Sequence, residues 1–123
     1  MNEIDYKQIY KDFLENYKDG TTNGEDVGKI IAKLAQCFSI YNLKTANSEI
    51  TFNAKAAEIE QSIDTVSHKS ITSSKAKILA NATDEYSMFL LNKAHLNNID
   101  QYVNALKYLQ RGLLQEWQHM GGT

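Results

Sequence analysis

The sequence predicts an all-α chain: a long antiparallel helical hairpin, coiled-coil-like and oligomeric, with a short helix at its N-terminal end. Three observations predict it. Proline, the residue that breaks helix interiors, is absent from all 123 residues, where about six would be usual. Apolar residues recur at steps of three, four and seven along most of the chain, which is the period of one helix face. The pattern is interrupted only at short clusters of Gly, Ser, Thr and Asn, the residues that favour turns.

The first helix is predicted over about residues 5–18. Tyr6, Ile9, Tyr10, Phe13, Leu14 and Tyr17 share one face, and Lys7, Lys11, Asp12, Glu15 and Lys18 lie elsewhere. Asp19-Gly20 is a C-terminal stop, because glycine enters the left-handed region without steric cost. Thr21, Thr22, Asn23 and Gly24 follow as a loop. Asn23 is an N-cap candidate, with Glu25 and Asp26 favourable in the next first turn.

The second helix is predicted over about residues 25–66. Ile31, Phe38, Thr45, Phe52, Ile59 and Val66 repeat every seven residues, beside a companion stripe of Val27, Leu34 and Tyr41 that shifts to Ala56 and Ile63. A straight helix drifts about 20° per heptad, so such a shift belongs to a long, weakly supercoiled helix. Asn42 to Ser48 is poor in apolar residues and rich in weak helix formers, leaving a break near Ala46-Asn47-Ser48 open.

Ser67 to Ser74 reads as a turn with an N-cap at Ser73 or Ser74. The third helix is predicted over about residues 74–119. Its seam runs Leu79, Ala82, Tyr86, Phe89, Lys93, Leu96, Ile99, Val103, Leu106, Leu113, Met120. Gly112 sits inside it at a cost of about 1 kcal/mol against Ala, a concession to the close approach of a partner. Tyr102, Tyr108, Leu109, Leu114 and Trp117 fall partly off the seam and form a second apolar surface. One stripe per helix buries little surface in so small a chain, and self-assembly is the natural remedy. The chain is read as a single domain.

Composition excludes several classes. Forty-two per cent hydrophobic and 23% charged residues mark a globular chain, and a net charge of −2 excludes a globally basic protein. A single Cys excludes an internal disulfide and fits a reducing, cytoplasmic compartment. The acidic N-terminus predicts no signal peptide, and no apolar run is long enough to span a membrane. Cys37 reads as a small packed hydrophobe. His68, His95 and His119 form no ligand pair, and Glu116 with His119 reads as helix-end chemistry. Glu58 and Glu60 point to different faces. Gly20, Gly24 and Gly28 follow no strand, so they are no phosphate loop. No catalytic residues, metal or cofactor are expected.

Charge distribution points elsewhere. Residues 1–26 hold seven acids and three lysines, net −4, whereas residues 27–123 hold ten bases and eight acids, net +2. Between Asp64 and Asp84 lie nineteen residues with no acid, containing Lys69, Lys75 and Lys77 among the hydroxyls of Ser67, Ser70, Thr72, Ser73 and Ser74. Such a tip can hold a phosphate backbone without reading bases. An ordinary solvated turn has the same composition, and the residues alone leave both readings open. Lys29 and Lys33 share a face that extends a basic stripe, and Lys44 and Lys55 share another. Trp117 is either an oligomer anchor or a base-stacking platform.

Leu96-Asn97-Asn98-Ile99-Asp100, then Arg111, Glu116-Trp117-Gln118 and Gly121-Gly122 resemble the C-terminal helix of the phage UvsY-type recombination mediators, over about a third of the chain. The resemblance implies a phage-derived, non-enzymatic oligomer in the host cytoplasm that binds single-stranded DNA. It also implies a recombinase and a single-stranded DNA-binding protein as partners. Leu106, Leu113, Trp117 and Met120 would then be assembly residues, and Lys69, Lys75, Lys77, Lys29 and Lys33 the DNA contacts. The acidic pI of about 5.9 departs from that pattern. The alternative function is a helical protein–protein adaptor or phage structural component, without nucleic-acid binding, whose acidic N-terminal helix is the working surface.

Overall fold

A computed structural model describes residues 5–17 and 23–121, the side chains of 116–121 excepted. It is all-α, with four helices: α1 (Tyr6–Tyr17), α2 (Gly24–Glu60), α3 (Ser73–Asn81) and α4 (Asp84–Gly121). The predicted stop at Asp19-Gly20 lies outside the described residues.

Local chemistry explains most of the boundaries. At α1, the Asp5 carboxylate accepts the Lys7 and Gln8 amides at 3.0 and 3.4 Å. At α2, Asn23 Oδ1 accepts the Asp26 amide at 2.9 Å while Asp26 accepts the Asn23 amide at 3.3 Å, a reciprocal capping box. The helix runs unbroken through Ala46-Asn47-Ser48. Thr45, Ser48 and Thr51 donate their hydroxyls to the carbonyls of Tyr41, Lys44 and Asn47 one turn back. Hydroxyls bonded this way follow the helix rather than compete with it.

Two predicted boundaries are corrected. α2 ends at Glu60 rather than near residue 66, because Ser62 turns back on the Ile59 carbonyl through its amide and hydroxyl at 3.0 and 2.6 Å. Residues 62–71 then fold into a small turn closed by an antiparallel bridge between Ile63 and Ser70, with His68 at φ 58°. Val66, taken for the last heptad position, is 83% exposed. The third predicted helix is two helices. Thr83 donates its hydroxyl to the Ala80 carbonyl at 2.7 Å and accepts the Tyr86 amide at 3.2 Å, ending α3 and starting α4. Asp84 and Glu85 complete that start in the first turn. The cap of α3 is Thr72 rather than Ser73 or Ser74, accepting the Lys75 amide.

The contacts divide into two compact units: Met1–Ile40 with Asn97–Thr123, and Tyr41–Leu96. In each, α2 and α4 pack antiparallel. In the first unit Tyr6, Phe13, Val27, Leu34, Cys37, Ile99 and Leu106 are all buried. Tyr10 stacks on Tyr102 with centroids 4.2 Å apart, so α1 covers a residue expected on an outer apolar surface. Gly24 and Gly28 let α4 approach: Gln110 Nε2 donates to the Gly24 carbonyl at 3.0 Å, and a Cβ at position 28 would lie 3.2 Å from that nitrogen.

The second unit is thinner. Phe52 faces Tyr86 and Phe89 at 4.9 and 6.1 Å. Among its described residues only Ala76, Ala80 and Asn92 are buried. Asn92 Nδ2 donates to Ser48 Oγ at 2.6 Å, which satisfies a buried amide and fixes the register of the two helices. Leu79 and Ala82, expected on the seam, are exposed instead.

Candidate nucleic-acid interface

The tip expected to hold phosphate forms from residues 61–77. Its single acid is engaged from two sides. Lys75 Nζ donates to Asp64 Oδ2 at 2.7 Å, and Asp64 Oδ1 accepts the Val66 and Ser67 amides at 2.9 and 3.5 Å. The Lys75 ammonium, aided by the Val66 amide, holds the Asp64 carboxyl below its ordinary range. The pair ties the turn to the first residues of α3. Nothing local in the sequence signals it, since the partners are eleven residues apart.

Lys75 is therefore a structural partner of Asp64. Lys69 and Lys77 are exposed, and no described carboxylate lies within ion-pair distance of either. Lys75 and Lys77, two apart on α3, leave the helix in different directions. The tip thus presents two free lysines, with Ile63, Val66 and Ile78 exposed around them at 69, 83 and 69%.

Lys29 and Lys33 are exposed on α2 in the first unit. They border a groove of about 490 Å³ whose walls also hold Asp12 and Asp26 around Phe13 and Ile30. The groove is of mixed sign, so these lysines do not form a purely basic stripe. Lys55 lies 3.7 Å from Glu58, and Lys44 sits over the Tyr41 ring at 5.1 Å.

Of the expected assembly residues, Leu106 is 1% exposed and belongs to the core of its own chain, where it offers no surface to a second copy. Leu113 is half-buried, and the side chains of Trp117 and Met120 lie outside the described residues. Cys37 is buried, as expected of a packed hydrophobe, and burial raises its thiol pKa. His95 faces Tyr41 at 5.0 Å. Among the described residues no three of His, Cys, Asp and Glu come together as a metal site, and no helix is long and apolar enough to cross a membrane.

Comparison with protein-family models, curated proteins and solved structures gives no match.

Proposed function

We propose that the protein is a non-enzymatic, self-assembling helical protein that binds single-stranded nucleic acid in recombination or replication. The resemblance to UvsY-type mediators points to the same role, with a recombinase or a single-stranded DNA-binding protein as partner. The observation that carries the reading is the tip, where Lys75 neutralises Asp64 and leaves Lys69 and Lys77 exposed, with no described carboxylate within ion-pair distance. Two lysines per chain are few, so affinity depends on several copies presenting them together.

A salt-titrated fluorescence-anisotropy assay with a labelled single-stranded oligonucleotide tests it. Binding should weaken log-linearly as salt rises, by about 0.7 in slope per phosphate contact. Lys69→Glu with Lys77→Glu should lower that slope while leaving helicity intact. No binding by the native chain at low salt would overturn the reading.

A second reading, a helical protein–protein adaptor, is favoured by one observation. Leu43, Ile50, Met88 and Leu91 in the second unit are 64, 67, 54 and 51% exposed, apolar surface of the kind that partner helices cover.

A further inference from the structure

α4 carries a second acid-free window. The fifteen residues between Asp100 and Glu116 contain no Asp or Glu, and hold Lys107 and Arg111. Gln101, Asn104, Tyr108, Arg111 and Gln115 recur at helical spacing and are all exposed. Tyr108 stands at the centre of that face, 77% exposed. The Arg111 guanidinium lies 5.7 Å from the ring centroid, a cation–π contact that orients an otherwise free side chain.

Gly112 lies one turn beyond Tyr108 on the same face. Among the described residues a Cβ there would meet nothing within 4 Å, so none of them requires glycine in this helix interior. Its effect is to leave bare backbone beside the ring. A flat ligand can lie on Tyr108 and extend over that gap, while Lys107 and Arg111 reach charges at its edge.

We infer that Tyr108, Arg111 and Gly112 form a stacking platform for a base of single-stranded nucleic acid, with Lys107 and Arg111 contacting the flanking phosphates. The inference rests on the nucleic-acid reading and deepens it, adding a base-face contact to a tip that touches only the backbone. An aromatic face with cations, polar amides and no acid matches the way single strands are held without sequence readout. Residues 101–115 themselves carry no acidic side chain.

The test is anisotropy titration of the full chain with two labelled oligonucleotides of equal length, one oligothymidine and one abasic. Tyr108→Ala should weaken oligothymidine binding about 5- to 150-fold, the range for losing one base–aromatic stack, and leave abasic binding unchanged. Tyr108→Phe should restore oligothymidine affinity, because the ring face is retained. Equal affinity of the native chain and Tyr108→Ala for oligothymidine would overturn the platform while leaving the nucleic-acid reading standing. Failure of the native chain to bind either oligonucleotide would overturn both. An altered sedimentation profile of Tyr108→Ala with unaltered affinity would assign the face to protein contact and overturn the platform.

Discussion

Replacing Gly112 with Ala should stabilise the protein. In a helix interior glycine costs about 1 kcal/mol relative to alanine, chiefly because the unfolded chain loses more freedom at that position. Among the described residues the added methyl would meet no side chain and no other element within 4 Å, so neither a clash nor new apolar burial there alters that value. For 123 residues, an unfolding entropy of about 2.1 cal/mol/K per residue gives about 0.26 kcal/mol/K, and 1 kcal/mol becomes a rise in Tm of about 4 °C. If the unit containing α1 melts separately, its smaller entropy raises the shift toward about 8 °C. Thermal unfolding followed by circular dichroism at 222 nm measures it. Gly28→Ala is the comparison in which the same gain is opposed, because there the new Cβ would lie 3.2 Å from Gln110 Nε2, so its Tm should rise less than that of Gly112→Ala. An unchanged or lowered Tm for Gly112→Ala would refute the reasoning, since it would mean that the surface beside Tyr108 is covered.

Two further outcomes concern titration. Asp64 is held below the ordinary carboxylate range by Lys75; its contribution is therefore complete above about pH 3.9 and lost as pH falls through its depressed value. Amide protection in residues 62–71 should fall as pH drops through that depressed value, and Asp64→Asn should show low protection there already at neutral pH. Cys37 behaves in the opposite sense: burial raises its thiol pKa, so the unfolded chain ionises first and stability falls as pH rises past about 8.5. A thiol reagent should label Cys37 slowly in the folded protein and rapidly in denaturant.

The helical class was legible because periodicity and absent proline are properties of whole segments. The long second helix was legible too, although the weak formers from Asn42 to Ser48 obscured its continuity. Their hydroxyls serve the preceding carbonyls, a choice that spacing alone does not reveal. The break at Thr83 was hidden by a coincidence: Leu79, Ala82, Tyr86 and Phe89 keep helical spacing across it. A Thr followed by two acids was nevertheless a readable start signal. Val66 shows the converse error, a residue in heptad register that lies in a turn. At the tip, the lysine count was legible and the loss of Lys75 to Asp64 was not, since that pairing depends on how the turn folds.

The burial pattern also shifts where self-association is to be sought. The unit holding Leu34, Ile99 and Leu106 buries these side chains in its own core. The unit from Tyr41 to Leu96 buries two alanines and an asparagine among its described residues and leaves Leu43, Ile50, Met88 and Leu91 in water. Burying one such side chain is worth roughly 1.5–3 kcal/mol when complete, so contact with a second surface would stabilise this unit far more than the other. Heptad spacing places Leu106 on a seam, but spacing cannot tell a seam closed within one chain from a seam closed between chains. Exposure makes that distinction. Leu43→Lys with Ile50→Lys is thus the substitution expected to leave the first unit's core intact and to abolish any self-association carried by the second.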